Sequence, residues 1–306
     1  MRERVEIVDV APRDGLQSDS VMFSTAQKLE LIRRIENAGV GRIEVASFVN
    51  PNRVPQMADA EAVLAGLRSE RVAGRSLATH IGLVLNGRGF DRAVASNTPE
   101  INVVVAVTDA FSDANQAMTT DNAIAAAVDV IVRARAVSMP VSVTLSVAFG
   151  CPFTGEVATD RVVDVARRIA AAQPNEIAIA DTIGVAVPAA VRRLVADLLD
   201  MLPTSVSLRG HFHNTRNTGL ANALAAVEAG VRTLDASLGG IGGCPFAPKA
   251  TGNIGTEDVV YLLERSGYDT GIDLERLIDA SDWLAKELGH PVPSLVAKAG
   301  MFPAAK

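Results

Sequence analysis

Two histidines one residue apart, His211 and His213 in the stretch HFHNTRNTG (211 to 219), make up half of the four histidines in the chain. Residues i and i+2 of a strand share a face, so the two imidazoles project together if this segment is extended. Paired imidazoles can hold a divalent cation, although an H-x-H pair also serves as hydrogen-bonded core. A cation needs further ligands. Asp14 in APRDGLQ (11 to 17) offers a carboxylate, and Asn253 at the end of GGIGGCPFAPKATGN (239 to 253) offers an amide oxygen. Nitrogen and oxygen donors without thiolate favour Mg²⁺ or Mn²⁺ over a structural zinc, with Zn²⁺ or Co²⁺ left open.

Other groups could act beside such a cation. Arg13 adjoins Asp14, either as an ordinary ion pair or as a cation facing substrate, and Gln17 follows. Glu44 interrupts an apolar run, RIEVAS, where an unpaired carboxylate would cost several kcal/mol, so it requires a partner such as Arg13. Asp181 and Thr182 end another run; Asp181 either acts on substrate or caps the helix opening near Pro188. Cys244 follows four glycines in a permissive loop, where its thiol can close over a ligand or be incidental to a tight turn. Cys151 reads as a small buried residue.

These residues need a scaffold that brings distant segments to one place. Eight strand-like runs recur: residues 5–10, 42–47, 79–85, 101–107, 141–147, 176–181, 207–213 and 233–238. Segments of helical period separate them, such as STAQKLELIRRIENAG with Ser24 as N-cap and Gly39 past the last turn, and DRVVDVARRIAAA with Asp160 as N-cap. Repeated βα units with nearly continuous apolar strands indicate a parallel sheet covered on both faces. The economical reading is α/β, one (β/α)₈ TIM barrel spanning residues 1–306, with residues from about 270 as a C-terminal helical extension packed outside it. A doubly wound open sheet is the rival, but APRDGLQ stands where its Gly-rich nucleotide turn would follow the first strand. In a barrel, the C-terminal strand ends build the site, and every residue singled out above lies at or beyond such an end or within a strand.

At 306 residues, 48% hydrophobic and 21% charged, the chain can bury a large core. A formal net charge of −6 with no long basic run argues against a nucleic-acid partner. The N-terminus enters strand-like alternation without an apolar signal region, and no run approaches ~18 apolar residues, so a cytoplasmic protein without membrane contact is expected. Two cysteines fit a reducing compartment.

The motifs taken together resemble the hydroxymethylglutaryl-CoA lyase family. The resemblance rests on APRDGLQ, IEVASFVNPNRVPQMAD (43 to 59), FGCPFTG (149 to 155), IADTIGV (179 to 185), HFHNT, GGCPFAPKATGN (242 to 253) and TEDVVYLL (256 to 263), covering nearly the whole chain. It implies that Asp14, His211, His213 and Asn253 bind the cation, that Arg13 stabilises an enolate, and that Glu44 and Asp181 orient Arg13 and the substrate. It also implies that His211 acts as base, that Cys244 takes part from its loop, and that a homodimer cleaves 3-hydroxy-3-methylglutaryl-CoA, or a closely related 3-hydroxy-3-alkylglutaryl-CoA, to acetyl-CoA and a 3-keto acid such as acetoacetate. A Claisen-type synthase of the same superfamily and a non-catalytic binding barrel are the competing readings. The chain departs from the family pattern where Asn214 replaces an aspartate and Asn217 a glycine, around Arg216, and where SDS (18 to 20) lacks a lysine suited to CoA phosphates. The expectation is that the Asn214 change alters the surroundings of the metal ligands.

Overall fold

The eight strand-like runs close on themselves in the computed structural model, which describes residues 2–74, 78–243 and 252–303. They form β1 Glu6–Asp9, β2 Arg42–Ser47, β3 Thr79–Val84, β4 Glu100–Ala106, β5 Val141–Ser146, β6 Glu176–Asp181, β7 Ser207–Phe212 and β8 Thr233–Ala236. Each lies within two residues of its expected limits. All neighbours run parallel, and β8 pairs with β1 from Glu6↔Thr233 to Asp9↔Ala236. That last pairing closes the (β/α)₈ barrel and excludes the open doubly wound sheet.

Helices α1 Thr25–Asn37, α2 Ala60–Val72 and α3 Gly87–Ala95 follow the first three strands, and α4 Asp109–Gln116 and α5 Thr120–Ala136 both follow β4. Then come α6 Thr159–Ala170, α7 Pro188–Met201, α8 Gly219–Glu228 and α9 Thr256–Arg265. Ser24 caps α1 in a full capping box with Gln27. Asp160 does not cap α6: the N-cap is Ala158, two residues earlier, and Asp160 sits in the first turn. A carboxylate there still faces the positive end of the helix dipole. The extension, α10 Leu274–Leu288, lies outside the sheet against α1 and α9, burying Leu277, Ala280, Leu284 and Leu288. Its Trp283 meets Phe23 edge-on at 6.4 Å, under the guanidinium of Arg34.

The large apolar core lies between sheet and helices, while the barrel interior is mostly polar. Alternate residues of a strand face inward. On that face β2 carries Arg42 and Glu44, β4 carries Glu100 and Asn102, and β5 carries Ser142, Thr144 and Ser146. Opposite them are Glu176 of β6, Arg209 and His211 of β7, and Asp235 of β8, and all but the half-buried Arg42 are buried. The strands are thus amphipathic in reverse, apolar outside and polar within. A small apolar cluster of Val8, Val10 and Ile81 interrupts the polar interior, as do Leu83 and Val104 nearer the mouth.

Two wholly buried acids hold the chain after β8. Asp9 accepts from Ala11 N at 2.8 Å and Thr256 Oγ1 at 2.7 Å, while both oxygens of Glu257 accept from Gly239 N at 3.0 Å. Burial pushes the Asp9 carboxyl up to about 7 and that of Glu257 up to about 8. Between the ordinary carboxylate range and those values the folded protein holds more protons than the unfolded chain, so stability falls as pH rises through that window. Urea unfolding of Asp9→Asn should show a flatter stability profile than wild type between pH 4 and 7. An unchanged slope would contradict the buried, proton-retaining state of Asp9.

Candidate active site

At the end of β1 the chain tightens at once into one helical turn, Ala11–Gly15, in which the amides of Arg13, Asp14 and Gly15 all reach the Val10 carbonyl. Wide turns of this kind recur at functional sites. This one sets Arg13 and Asp14 over the barrel mouth. Arg13 bonds Glu44 through Nε and Nη2, and its Nη1 donates to Asp14 Oδ1 at 2.6 Å. The other Glu44 oxygen accepts from Asn102 Nδ2 at 2.8 Å. Glu44 therefore has the partner its burial demanded, and Arg13 is fixed on two sides by carboxylates that keep it charged.

His211, next to last in β7, stands level with Asp235 of β8, and its Nδ1 lies 3.1 Å from Asp235 Oδ2. His213 follows on the same face, its Nε2 3.2 Å from His211 Nε2. Asn253 pairs with His213 in a short bridge and donates from Nδ2 to Asp14 Oδ2 at 2.8 Å and to the Ile241 carbonyl at 3.2 Å. Two acceptors face that one atom, and among the described residues the amide oxygen of Asn253 is left to accept.

One ring nitrogen from each histidine and one carboxylate oxygen of Asp14 lie within 4.8 Å of one another. Burial raises the Asp14 carboxyl, but Arg13, the two histidines and Asn253 outweigh it and hold its pKa at about 2. Burial, reinforced by His211, pushes His213 down to about 3, so it is a neutral imidazole with a lone pair to give. His211 goes the other way: burial lowers it, and the bond to Asp235 and the charges of Asp235 and Asp14 lift it above its usual value. An anionic oxygen, two imidazoles and a spare amide oxygen fit a divalent cation, and Nδ1 of His211 bound to a carboxylate is the common outer support of such ligands.

The pocket over these groups is lined by Arg13, Asp14, Gln17, Asn102, Thr144, Ser146, Thr182, His211, His213 and Asp235, with Leu83, Leu85, Val104 and Phe111 on its apolar side. Asp181 is placed differently. The pocket takes Ala180 of β6 and Thr182 just past its end, so Asp181 between them faces away, and its carboxylate accepts from Val185 N at 2.9 Å and Ala186 N at 3.0 Å. It ties down the loop ahead of α7 rather than capping that helix, whose N-cap is Val187. Cys244 lies outside the described residues. The feet of its loop are described: a Cβ on Gly252, at φ +101°, would sit 1.8 Å from the Gly242 carbonyl oxygen, so only glycine lets the loop close beside Asn253. Cys151 is buried on a short hairpin, as expected, with Thr108 Oγ1 3.2 Å from its sulfur.

A family model described as HMGL-like matches residues 4–284. The chain belongs to the HMGL-like family. It is a carbon–carbon lyase of that family on a TIM barrel, and family membership brings dependence on a divalent metal. It is 46% identical over 303 residues to (R)-citramalyl-CoA lyase of Chloroflexus aurantiacus, covering 97% of this chain and 95% of that one. It is 36% identical to the cytoplasmic 3-hydroxy-3-methylglutaryl-CoA lyase of Mus musculus, over 97% of this chain and 85% of the other. The structure of an HMG-CoA lyase from Acinetobacter baumannii in complex with coenzyme A and 3-methylmalate superposes with a TM-score of 0.92 at 38% identity, over 99% and 97% of the two chains.

Sequence reasoning passed over Asp235 and Asn102, the residues that hold His211 and Glu44. Both stand at inward positions of a strand, and the alternation V-S-V-T-L-S-V in β5 shows in the sequence that the inner face is polar. Asn214 takes a structural part: His211 is supported by Asp235, and Asn214 Oδ1 accepts from Gly219 N at 3.1 Å, closing the turn into α8. Asn217 sits at φ +57°, a left-handed conformation that asparagine shares with glycine. Arg216 donates to the carbonyls of Ile183 and Gly184, joining this loop to the one after β6. The HMGL-like barrel thus keeps Asp14, His211 and His213 together, and the unusual tail is a loop fastening. Asn217→Gly is expected to leave urea stability and cation affinity unchanged, whereas Asn217→Val should lose roughly 1–2 kcal/mol from the strained backbone. A large loss of cation affinity in Asn217→Gly would return the tail to the site.

Proposed function

We propose that this lyase cleaves a CoA thioester carrying a 3-hydroxyl, a 3-methyl and a free carboxylate, and that its substrate is citramalyl-CoA in preference to 3-hydroxy-3-methylglutaryl-CoA. The observation that carries the reading is the pocket itself, where Asp14, His211 and His213 converge beside an arginine fixed by two carboxylates. The preference is supported by the 46% identity to a citramalyl-CoA lyase against 36% to a hydroxymethylglutaryl-CoA lyase over nearly the same length. The two thioesters differ by one methylene between the carbinol carbon and the free carboxylate. The bond broken, C2–C3, is the same.

Asp14, His211, His213 and the amide oxygen of Asn253 would hold the cation, Mg²⁺ or Mn²⁺ from the donor set. When bound it supplies Lewis acidity, lowering the pKa of the substrate hydroxyl and drawing in the carboxylate. The protein residues do the rest. Loss of the hydroxyl proton turns the C3–O bond into a carbonyl, the C2–C3 pair moves to C2 and the thioester oxygen, and a proton returned to C2 completes acetyl-CoA. Arg13, held by Glu44 and Asp14, offsets the enolate charge as it forms. His211 is the group to take the hydroxyl proton: with Nδ1 on Asp235, protonation at Nε2 produces an imidazolium paired to a carboxylate. Cys244 would contribute from the loop rooted at Gly243 and Gly252.

The deciding assay offers both thioesters to the Mg²⁺- or Mn²⁺-loaded protein. Acetyl-CoA should be released from each, with pyruvate from (R)-citramalyl-CoA at the higher kcat/KM and acetoacetate from the other. EDTA should abolish both reactions, and Arg13→Ala should cost about a hundredfold or more in kcat. A folded protein that binds the cation and cleaves neither thioester refutes the reading, and a higher kcat/KM on the glutaryl ester reverses the order of substrates.

A further inference from the structure

Below the site runs a column of charges, and its lower members, Arg42, Glu100, Glu176 and Arg209, take no part in the chemistry above. Arg42 meets Glu6 at 2.8 Å, Glu100 at 2.5 Å and Glu176 at 3.1 Å; Glu176 meets Arg209 at 3.1 Å; Arg209 meets Asp235 at 3.3 Å, and Asp235 meets His211. Arg209 is 1% exposed and ranks among the largest fully buried side chains in the molecule. Apolar residues of similar volume would serve stability as well or better at such a place, because desolvating ions costs as much as their attraction returns. Stability alone therefore does not explain a guanidinium here.

Position does. Arg209 and His211 are two apart on β7 and share its inward face, and Asp235 stands level with His211 on β8. One Asp235 oxygen faces the imidazole and the other faces Arg209 Nε. The Arg209 contact is ionic: neither Nε nor Nη1 is aligned as a hydrogen bond, while Nη2 donates to Ser142 Oγ at 3.4 Å. We propose that Arg209 is a positioning residue, which pins Asp235 so that Asp235 fixes the ring of His211 and presents Nε2 to the cation. This rests on the cation-binding reading of Asp14, His211 and His213. It adds a residue with no contact to substrate or metal.

The sign of the effect separates this role from electrostatics. Removing a positive charge from beneath a divalent cation strengthens cation binding through the field alone. Loss of positioning weakens it, and partners of ligating histidines typically change metal affinity 10- to 100-fold. Mn²⁺ affinity of the metal-stripped protein, read by EPR of free Mn²⁺, is the measurement, with thermal melting as a check on folding. Arg209→Met should weaken Mn²⁺ about tenfold or more. Asp235→Asn should weaken it too, and the double variant Arg209→Met/Asp235→Asn should be no worse than Asp235→Asn alone. Arg209→Met/Glu176→Gln removes both members of the lower pair, and should show the same loss if Arg209→Met alone does not fold. Unchanged or tighter Mn²⁺ in a folded Arg209→Met protein overturns the proposal, as do fully additive losses in the double variant. Wild-type protein that binds no Mn²⁺ overturns the cation reading instead.

Discussion

A carboxylate inside a closed barrel has no water to solvate it, and the arrangement around Glu44 follows from that constraint. Its burial forces a cationic partner, the partner is Arg13, and the partner's position is set by the turn that also carries Asp14. The same rule governs Asp235, which faces Arg209 and His211, and Glu176, which faces Arg42 and Arg209. Each buried ion takes its place from the next one. The site is therefore less a set of residues on loops than the upper end of a charged interior, with the apolar core displaced to the space between sheet and helices.

The loops above this interior are fastened by polar contacts rather than by packing alone. Asp9 and Glu257 hold the chain after β8, Asp181 holds the loop after β6, and Arg216 links that loop to the segment after the two histidines. Asn253 is then brought to Asp14 by a bridge beside His213 and by glycines that allow close passage of the backbone. Precision at the mouth thus comes from tying loops to strand ends, in keeping with the general need to hold a constellation on rigid elements.

Much of the cluster at the barrel mouth was legible in the sequence. His211 and His213 share a face because of strand periodicity, Glu44 called for a partner because of its apolar setting, and Asp14 follows the first of eight βα units. The supporting residues were harder to see. Asp235 and Arg209 stand in runs rich in apolar residues, TLDASL and SLRGHFH, and a single charge in such a run gives no sign of which distant charge meets it. Asn214 and Asn217 misled in the other direction: as departures from a family pattern they suggested altered chemistry, whereas one closes a turn and the other occupies a left-handed conformation.

The sequence by itself determined the periodicities: eight strands, the helices between them, the capping of α1 by Ser24, and the types of group available for metal binding and charge stabilisation. Those follow from local sterics and from the spacing of apolar residues, which act over a few positions. Only the tertiary structure decided which charges meet. Arg13 with Glu44, Asn102 with Glu44, Asp235 with both Arg209 and His211, and the outward turn of Asp181 depend on barrel closure and strand register. A shift of one residue along any strand would exchange its inner and outer faces, so the pairing of buried charges is a property of register that local sequence does not carry.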